Sequence, residues 1–396
     1  VSKGTDFYGM FLEAPHFNQK LEDWNLSSIE NTPHIMFTGA DAMLANGWSS
    51  TPNVSDFKGS TINGSSAADI INGGDGNDVL SGFNEEGITM SYSFTNRSAL
   101  DSAVNAWITD ETDATSTYGD INTWDVSGIT DFSDLFTDKN NFNSDISNWD
   151  VSNGTDFSDM FRNASVFNQD ISDWDVSNGT DFSLMFAEAS AFNQDIGNWN
   201  VSNGTDFSYM FRDASVFNQD IGNWDVSNGT DFDSMFEGAT LFNQDIGNWD
   251  VSKGTNFEYM FSDASVFNQD IGNWDVSNGT NFHAMFLSYG IGSSNFNQDI
   301  GNWDVSKGTS FDSMFEGATS FNQDISDWDV SNGKYFGEMF ADATAFNQDI
   351  GNWNVSKGTD FEYMFAEASA FNQDIGNWNV SKGTDFYGMF LEAPHF

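Results

Sequence analysis

The stretch Phe217 to Leu241 reads FNQDIGNWDVSNGTDFDSMFEGATL, and its reading decides the fold. Near-copies of it fill most of the chain. The tryptophans Trp124, Trp149, Trp174, Trp199, Trp224, Trp249 and Trp274 step by 25 residues. One step of 29 leads to Trp303, after which Trp328, Trp353 and Trp378 resume the 25. A fixed period of this size predicts stacked units sharing a core that no single unit could bury. Within the unit, alternation puts Trp224 and Val226 on the inner side of a short strand and Asn223, Asp225 and Ser227 on the outer side. Asn228-Gly229 then reads as a turn. Phe232, Met235, Phe236 and Ala239 follow i, i+3, i+4, i+7, the spacing of one face of a short helix, with Thr230 or Asp231 able to cap its start.

Ile221, Trp224 and Val226 give I-x-x-W-x-V, the L-x-x-L-x-L spacing of a leucine-rich repeat. The text WDVS…MF…FNQ, from Asp120 to Phe396 and again from Val1 to about Asn25, resembles the BspA-like bacterial surface-protein family. Members carry text close to WDVSNVTDMSYMF. Here Gly stands for the first apolar residue of the turn, as at Gly204, and Phe for the first Met, as at Phe207. The resemblance implies a repeat solenoid, a leucine-rich-repeat-like right-handed coil with one short parallel strand and one short helix per 25-residue coil. It also implies a secreted or cell-surface protein without enzymatic activity.

The first seventeen residues, VSKGTDFYGMFLEAPHF from Val1 to Phe17, return unchanged from Val380 to Phe396. Moved one such period of 379 residues along, Trp24 falls 25 residues beyond Trp378, so the join keeps the register. The expectation is one period of a longer tandem protein, or of a fibre built from one, whose partners are further copies of itself. Residues 1–45 then read as the closing coils of the preceding unit and 46–92 as a linker. Residues 93–119 read as a helical cap, with Leu100, Val104 and Trp107 on one face and Ser98 as N-cap. Residues 120–396 read as about eleven coils that continue into the next period.

The linker holds the one metal motif. Gly73 to Ser81 (GGDGNDVLS) fits the calcium nonapeptide G-G-x-G-x-D-x-U-x, and Gly64 to Asn72 keeps its phase, with Asp69 matching Asp78. It resembles a short RTX-type roll, whose glycine turns aim carbonyls at an ion that prefers oxygen ligands. The candidate Ca2+ site comprises Asp69, Gly74, Asp75, Gly76, Asn77 and Asp78. The other reading of this segment is a glycine-rich linker whose Ile70, Ile71 and Leu80 pack against a neighbour.

Two further sets of polar residues repeat with the coil. Asp150, Asp175, Asp225, Asp250 and Asp275 occupy one outward position, and Gln169-Asp170 begins a second series that ends at Gln373-Asp374. They read either as a binding face for cations or a ligand, or as solvated polar positions stacked on their own copies. Asn153-Gly154-Thr155 and its copies are formal glycosylation sequons that arise from the repeat itself. The four extra residues of the long coil fall within Leu287 to Asn295, a surface insertion or a binding loop.

Composition narrows the function. A net charge of -48 repels nucleic acid and anionic membranes, and the absence of Cys excludes disulfides and thiol chemistry. The 40 Phe and 14 Trp supply ample apolar surface, which argues against disorder. No apolar run approaches the roughly 18 residues of a membrane helix. His16, His34 and His283 stand apart in sequence, with His395 a copy of His16, and no nucleophile or phosphate-binding motif is present. Two readings remain: an extracellular structural fibre or stalk, or an adhesin that grips a glycan or a protein through the strand face or the 287–295 loop. An exposed aromatic platform would favour a sugar site. By sequence only Tyr209, Tyr259 and Tyr363 look surplus to the core.

Overall fold

The computed structural model describes residues 92–289 and 294–395. The segments 1–45 and 46–91, with the candidate calcium residues Asp69, Gly74, Asp75, Gly76, Asn77 and Asp78, lie outside the described residues.

The described part opens with two helices, α1 (Arg97–Thr109) and α2 (Glu111–Tyr118). Asn96 caps α1, its side chain accepting from the Ala99 amide at 2.9 Å, so the cap lies two residues before the expected Ser98. Asp110 both ends α1 and caps α2, accepting from the Asp113 amide at 3.1 Å. The face Leu100, Ala103, Val104 and Trp107 is buried against the first coil. Trp107, Phe94 and Tyr118 all pack on the Trp124 ring, at 5.9, 5.2 and 5.8 Å between centroids. These rings cover an end of the stack that would otherwise face water.

From Asp131 onward the chain lays eleven coils on one another in strict register. Asp131, Asp156, Asp181, Asp206, Asp231, Asn256, Asn281, Ser310, Tyr335, Asp360 and Asp385 are joined in a single series of parallel bridges. The Phe232 ring stacks on Phe257 at 5.7 Å, Phe236 on Phe261 at 5.7 Å and Trp224 on Trp249 at 6.4 Å, each pair within 7° of parallel. Offset stacking of this kind suits the ring quadrupole and continues from coil to coil. Ile221, Trp224, Val226, Phe232, Met235, Phe236, Ala239 and Phe242 are all buried, Trp224 with only 3% of its surface exposed. Each unit thus contributes eight apolar side chains to a core that runs the length of the stack.

The interior of the coil differs from the expectation. Among the described residues the coils contain no strand longer than an isolated bridge and no α-helix. The residues expected as a strand, Trp224 to Val226, form no bridge; the bridged position is Asp231. The expected helix over 232–239 is a run of tight turns, with Met235, Glu237 and Ala239 donating to Phe232, Ser234 and Phe236. The alternate amides go to the next coil: Phe232 to Asn256, Ser234 to Glu258, Phe236 to Met260 and Gly238 to Ser262, at 2.7–3.0 Å. Ser234 and Gly238 carry φ of 53° and 66°, so the chain reverses its twist every fourth residue. A helix would need those amides for its own i→i−4 bonds. Turning with a period near four brings 232, 235, 236 and 239 inward just as a helix would, which is why the two look alike in sequence.

Side chains lock the opposite flank. Trp224 Nε1 donates to the Ile196 carbonyl at 3.0 Å, and the same bond recurs at Trp149, Trp174, Trp199, Trp249, Trp274, Trp303, Trp328, Trp353 and Trp378. The Asn193 side chain accepts the Asn218 amide at 2.9 Å, and Gln219 donates to the Asn193 carbonyl at 2.9 Å. The long coil leaves this register only briefly. Ser288 still donates to Glu316, Asn295 rejoins by donating to Ser265, and Trp274 stacks on Trp303 at the usual 6.4 Å.

Candidate functional site

Most polar positions of the repeat hold the stack together. The carboxylates Asp150, Asp175, Asp225, Asp250 and Asp275 are exposed, and each accepts the amide of the serine two residues on, at 3.0–3.1 Å. In the second series Asp220 does the same for Gly222 at 3.0 Å, while its neighbour Gln219 reaches back to Asn193. The structure therefore gives both series a role in turn geometry. Among the described residues no group of three or more His, Asp or Glu side chains could hold a metal ion. The sequon asparagines are also engaged: Asn153, Asn178, Asn203, Asn228 and Asn278 each donate from Nδ2 to a serine carbonyl of the preceding coil.

A different pair of positions, the bridged residue and the one two beyond it, carries the variation. In the first four coils this pair is Asp and Ser. Asp156 accepts both the amide and the hydroxyl of Ser158, at 3.0 and 2.7 Å, and Asp131, Asp181 and Asp206 repeat the arrangement. From the fifth coil the pair becomes Asp231–Asp233, Asn256–Glu258, Asn281–His283, Ser310–Asp312, Tyr335–Gly337, Asp360–Glu362 and Asp385–Tyr387. Where the small, self-satisfied serine is lost, larger groups bond across coils. Tyr209 donates to Asp233 at 2.9 Å, Asn281 Nδ2 to Glu258 at 2.6 Å, and the Gly337 amide to Asp312 at 2.8 Å. His283 Nε2 lies 2.9 Å from the Tyr259 hydroxyl, with the two rings perpendicular.

These substitutions open a groove of about 460 Å3 lined by Glu258, Asn281, His283, Ser310, Asp312 and Tyr335. Ser310 is the small residue of the bridged series, set between Asn281 and Tyr335. Tyr335 is 45% exposed. Burial raises the carboxyls of this region: Asp312 and Asp233 are pushed up to about 6, with further upward pressure on Asp312 from Asp360 and Glu338. Glu316 is also raised, by burial and by Glu338 and Asp342. Burial and the Asp233 carboxylate push Tyr209 up to about 12, so it stays a neutral donor.

The groove residues were missed in the sequence for a clear reason. His283 stands alone along the chain, and its partner Tyr259 belongs to the preceding coil. The tyrosines that look surplus are in use: Tyr209 binds Asp233, Tyr259 pairs with His283, and Tyr363 meets Tyr387 edge-on. Along the stack the exposed rings are instead Tyr335 and Tyr289, the latter 70% exposed at the start of the insertion, with Phe386 and Tyr387 exposed in the last coil. The legible signal was departure from the repeat in neighbouring coils, read down one position rather than along the chain.

Comparison with known proteins agrees with this repeat organisation. No curated protein matches the chain. The family model described as "Mycoplasma protein of unknown function, DUF285" matches residues 1–70, 111–220, 196–291 and 289–396. Four matches that together span most of the sequence make the chain a repeat protein, and it belongs to the DUF285 family.

Proposed function

We propose that this chain is a non-enzymatic structural protein, a stiff repeat solenoid serving as an element of an extracellular surface fibre or stalk. One observation carries the reading: every coil from Asp131 to Asp385 is tied to its neighbours by the same backbone bonds and stacked rings. Such a stack is quasi-one-dimensional, and bending it means breaking several bonds per coil. Its solenoid is one of turns rather than of strand and helix. The return of Val1 to Phe17 as Val380 to Phe396 supports reading the chain as one 379-residue period of a tandem array. The resemblance of the repeat text to BspA-like surface proteins supports a place outside the cell. At about 4.8 Å per coil, eleven coils form a rod of roughly 50–55 Å before its cap. Small-angle scattering tests this: a compact globule in solution would sink the reading.

A second reading is a binding module, an adhesin for a glycan or a protein. It is favoured by the groove that four of the seven departing coils form, lined by Glu258, His283, Asp312 and Tyr335. A spacer needs no such groove.

A further inference from the structure

We propose that the groove lined by Glu258, Asn281, His283, Ser310, Asp312 and Tyr335 is a binding site for neutral oligosaccharides. The inference rests on the second reading above, and it names the site and the ligand class.

The first argument is internal to the molecule. The chain holds many copies of the same unit, so a position that departs from the repeat in adjacent coils is one the stack does not dictate. Coils built on Asp156–Ser158 and Asp206–Ser208 show the arrangement the stack accepts, with carboxylate and serine satisfying each other. All seven coils from Asp231–Asp233 to Asp385–Tyr387 abandon it, and the four consecutive ones that line the groove, Asn256–Glu258, Asn281–His283, Ser310–Asp312 and Tyr335–Gly337, differ from one another as well as from the Asp–Ser pair. Several replacements are individually unfavourable for a scaffold. Asp312 is a half-buried carboxyl raised to about 6, and Tyr335 sets an aromatic ring in water.

The second argument is the chemistry of the lining. A sugar offers hydroxyls that both donate and accept, and an apolar face of C–H groups. Carboxylates and amides fix the hydroxyls, and an aromatic ring covers the C–H face. Here Glu258 and Asp312 supply acceptors, Asn281 and His283 supply groups of both kinds, and Tyr335 supplies the ring. These groups are held before any ligand arrives: Glu258 by Asn281, His283 by Tyr259, and Asp312 by the Gly337 amide. Such preorganisation lowers the entropy cost of binding. The volume of about 460 Å3 lies in the range of about 300–1,000 Å3 of small-molecule sites.

Charge selects among ligands. Glu258, Asp312 and a net charge of -48 repel sialylated, sulfated and phosphorylated ligands. A basic peptide is the main rival. An ammonium requires acceptors alone, whereas a sugar hydroxyl can also accept from the Ser310 hydroxyl and the second Nδ2 hydrogen of Asn281.

The test uses the whole chain and a panel of probes: maltotriose, cellotriose, chitotriose and lactose, with sialyllactose and a hepta-arginine peptide as controls, read by saturation-transfer NMR and calorimetry. Two variants restore the residues the repeat itself uses, Ser310→Asp with Asp312→Ser, and Tyr335→Asp with Gly337→Ser. Because the Asp–Ser pair already serves the first four coils, from Asp131–Ser133 to Asp206–Ser208, thermal melts of both should match or exceed the parent. At least one neutral oligosaccharide should bind, sialyllactose should not, and both variants should bind at least about tenfold more weakly, the loss expected of a hydrogen bond to a charged group or a stacking contact. Sugar binding that survives in both variants would overturn the groove and leave the binding-module reading standing. Binding of the arginine peptide with no sugar would replace the ligand class. Binding of nothing in the panel would overturn the inference, while the spacer reading would stand or fall on scattering alone.

Discussion

The indole Nε1 of Trp224 donates to the main-chain carbonyl of Ile196 at 3.0 Å, from one coil to the coil before it. The bond explains why the repeat uses tryptophan rather than another large apolar residue. Beyond the Ser93–Asp125 bridge to the cap, the described residues show no backbone bridge between coils on this flank. The Ile196 carbonyl accepts the Trp199 amide at 3.1 Å within its own coil, and the indole N–H reaches its second lone pair while the ring fills the core.

Trp224→Phe should therefore destabilise the stack by about 0.5–1.5 kcal/mol, the net contribution of one hydrogen bond, because the Ile196 carbonyl keeps the Trp199 amide at 3.1 Å. Trp224→Ala should cost about 3–5 kcal/mol because it adds a cavity. Trp378 makes the same bond to Ile350 but is partly exposed, so Trp378→Phe should cost less than Trp224→Phe. Chemical denaturation of the three variants orders them. Equal costs at both positions would mean that burial does not set what the bond contributes.

A second pair explains how this chain departs from the repeat text it resembles. A Cβ placed on Gly229 would lie 2.5 Å from Cζ of Phe232. The ring occupies the space that a side chain at 229 would take. The two differences noted in the sequence, Gly for an apolar residue and Phe for Met, are thus one exchange of volume between neighbouring positions.

Gly229→Val alone should overpack the coil and cost about 1–3 kcal/mol. Phe232→Met alone should cost a similar amount by opening space. The double variant should recover most of both losses, giving a coupling energy well above the few tenths expected of independent sites. A double-mutant cycle by urea melts provides the number, and strict additivity would show that the two positions do not compete for volume.

How far the sequence could be read follows from these contacts. Which side chains face the core was legible, because Trp224, Val226, Phe232, Met235, Phe236 and Ala239 are all buried where the spacing puts them. The backbone path was not. A turn period near four and a helical period of 3.6 place the same residues inward over eight positions. Only the neighbour's carbonyls, which take the amides of Phe232, Ser234, Phe236 and Gly238, decide between them. The groove was illegible along the chain for the same reason: His283 and Tyr259 are 24 residues apart, and only the stacking joins them.

The calcium motif gives a prediction independent of the stack. Calcium added to the whole chain should release heat through a site that Asp78→Ala and chelation both remove. Chelation should leave the melting of the stacked coils unchanged, since the motif lies at Gly64 to Ser81 and the coils begin at Asp131. An identical titration for Asp78→Ala and the parent would remove the site.

The acidic residues divide into two classes, and stability should record both as pH changes. Asp170, Asp175, Asp250, Asp304 and Asp324 are held below the usual value by the hydroxyl and amide of the serine two residues on. A depressed acid contributes stability above its unfolded value and loses it as pH falls, so these residues protect the fold down to about pH 4 and fail below it. Asp233 and Asp312 are pushed up to about 6 by burial. A raised acid acts in the opposite sense. It favours the fold fully below its unfolded value of 3.8, and that contribution is lost as pH rises through about 6. The melting temperature should peak near pH 4–5, fall toward pH 7 and fall again below pH 3. The restored pair Ser310→Asp with Asp312→Ser should flatten the fall between pH 5 and 7 without moving the acid limb. It leaves the net charge unchanged, so general self-repulsion is the same in parent and variant. Thermal melts of the two from pH 3 to 8 in 0.15 M salt decide the matter: parallel curves would assign the neutral-side fall to net charge instead of to the groove carboxyl.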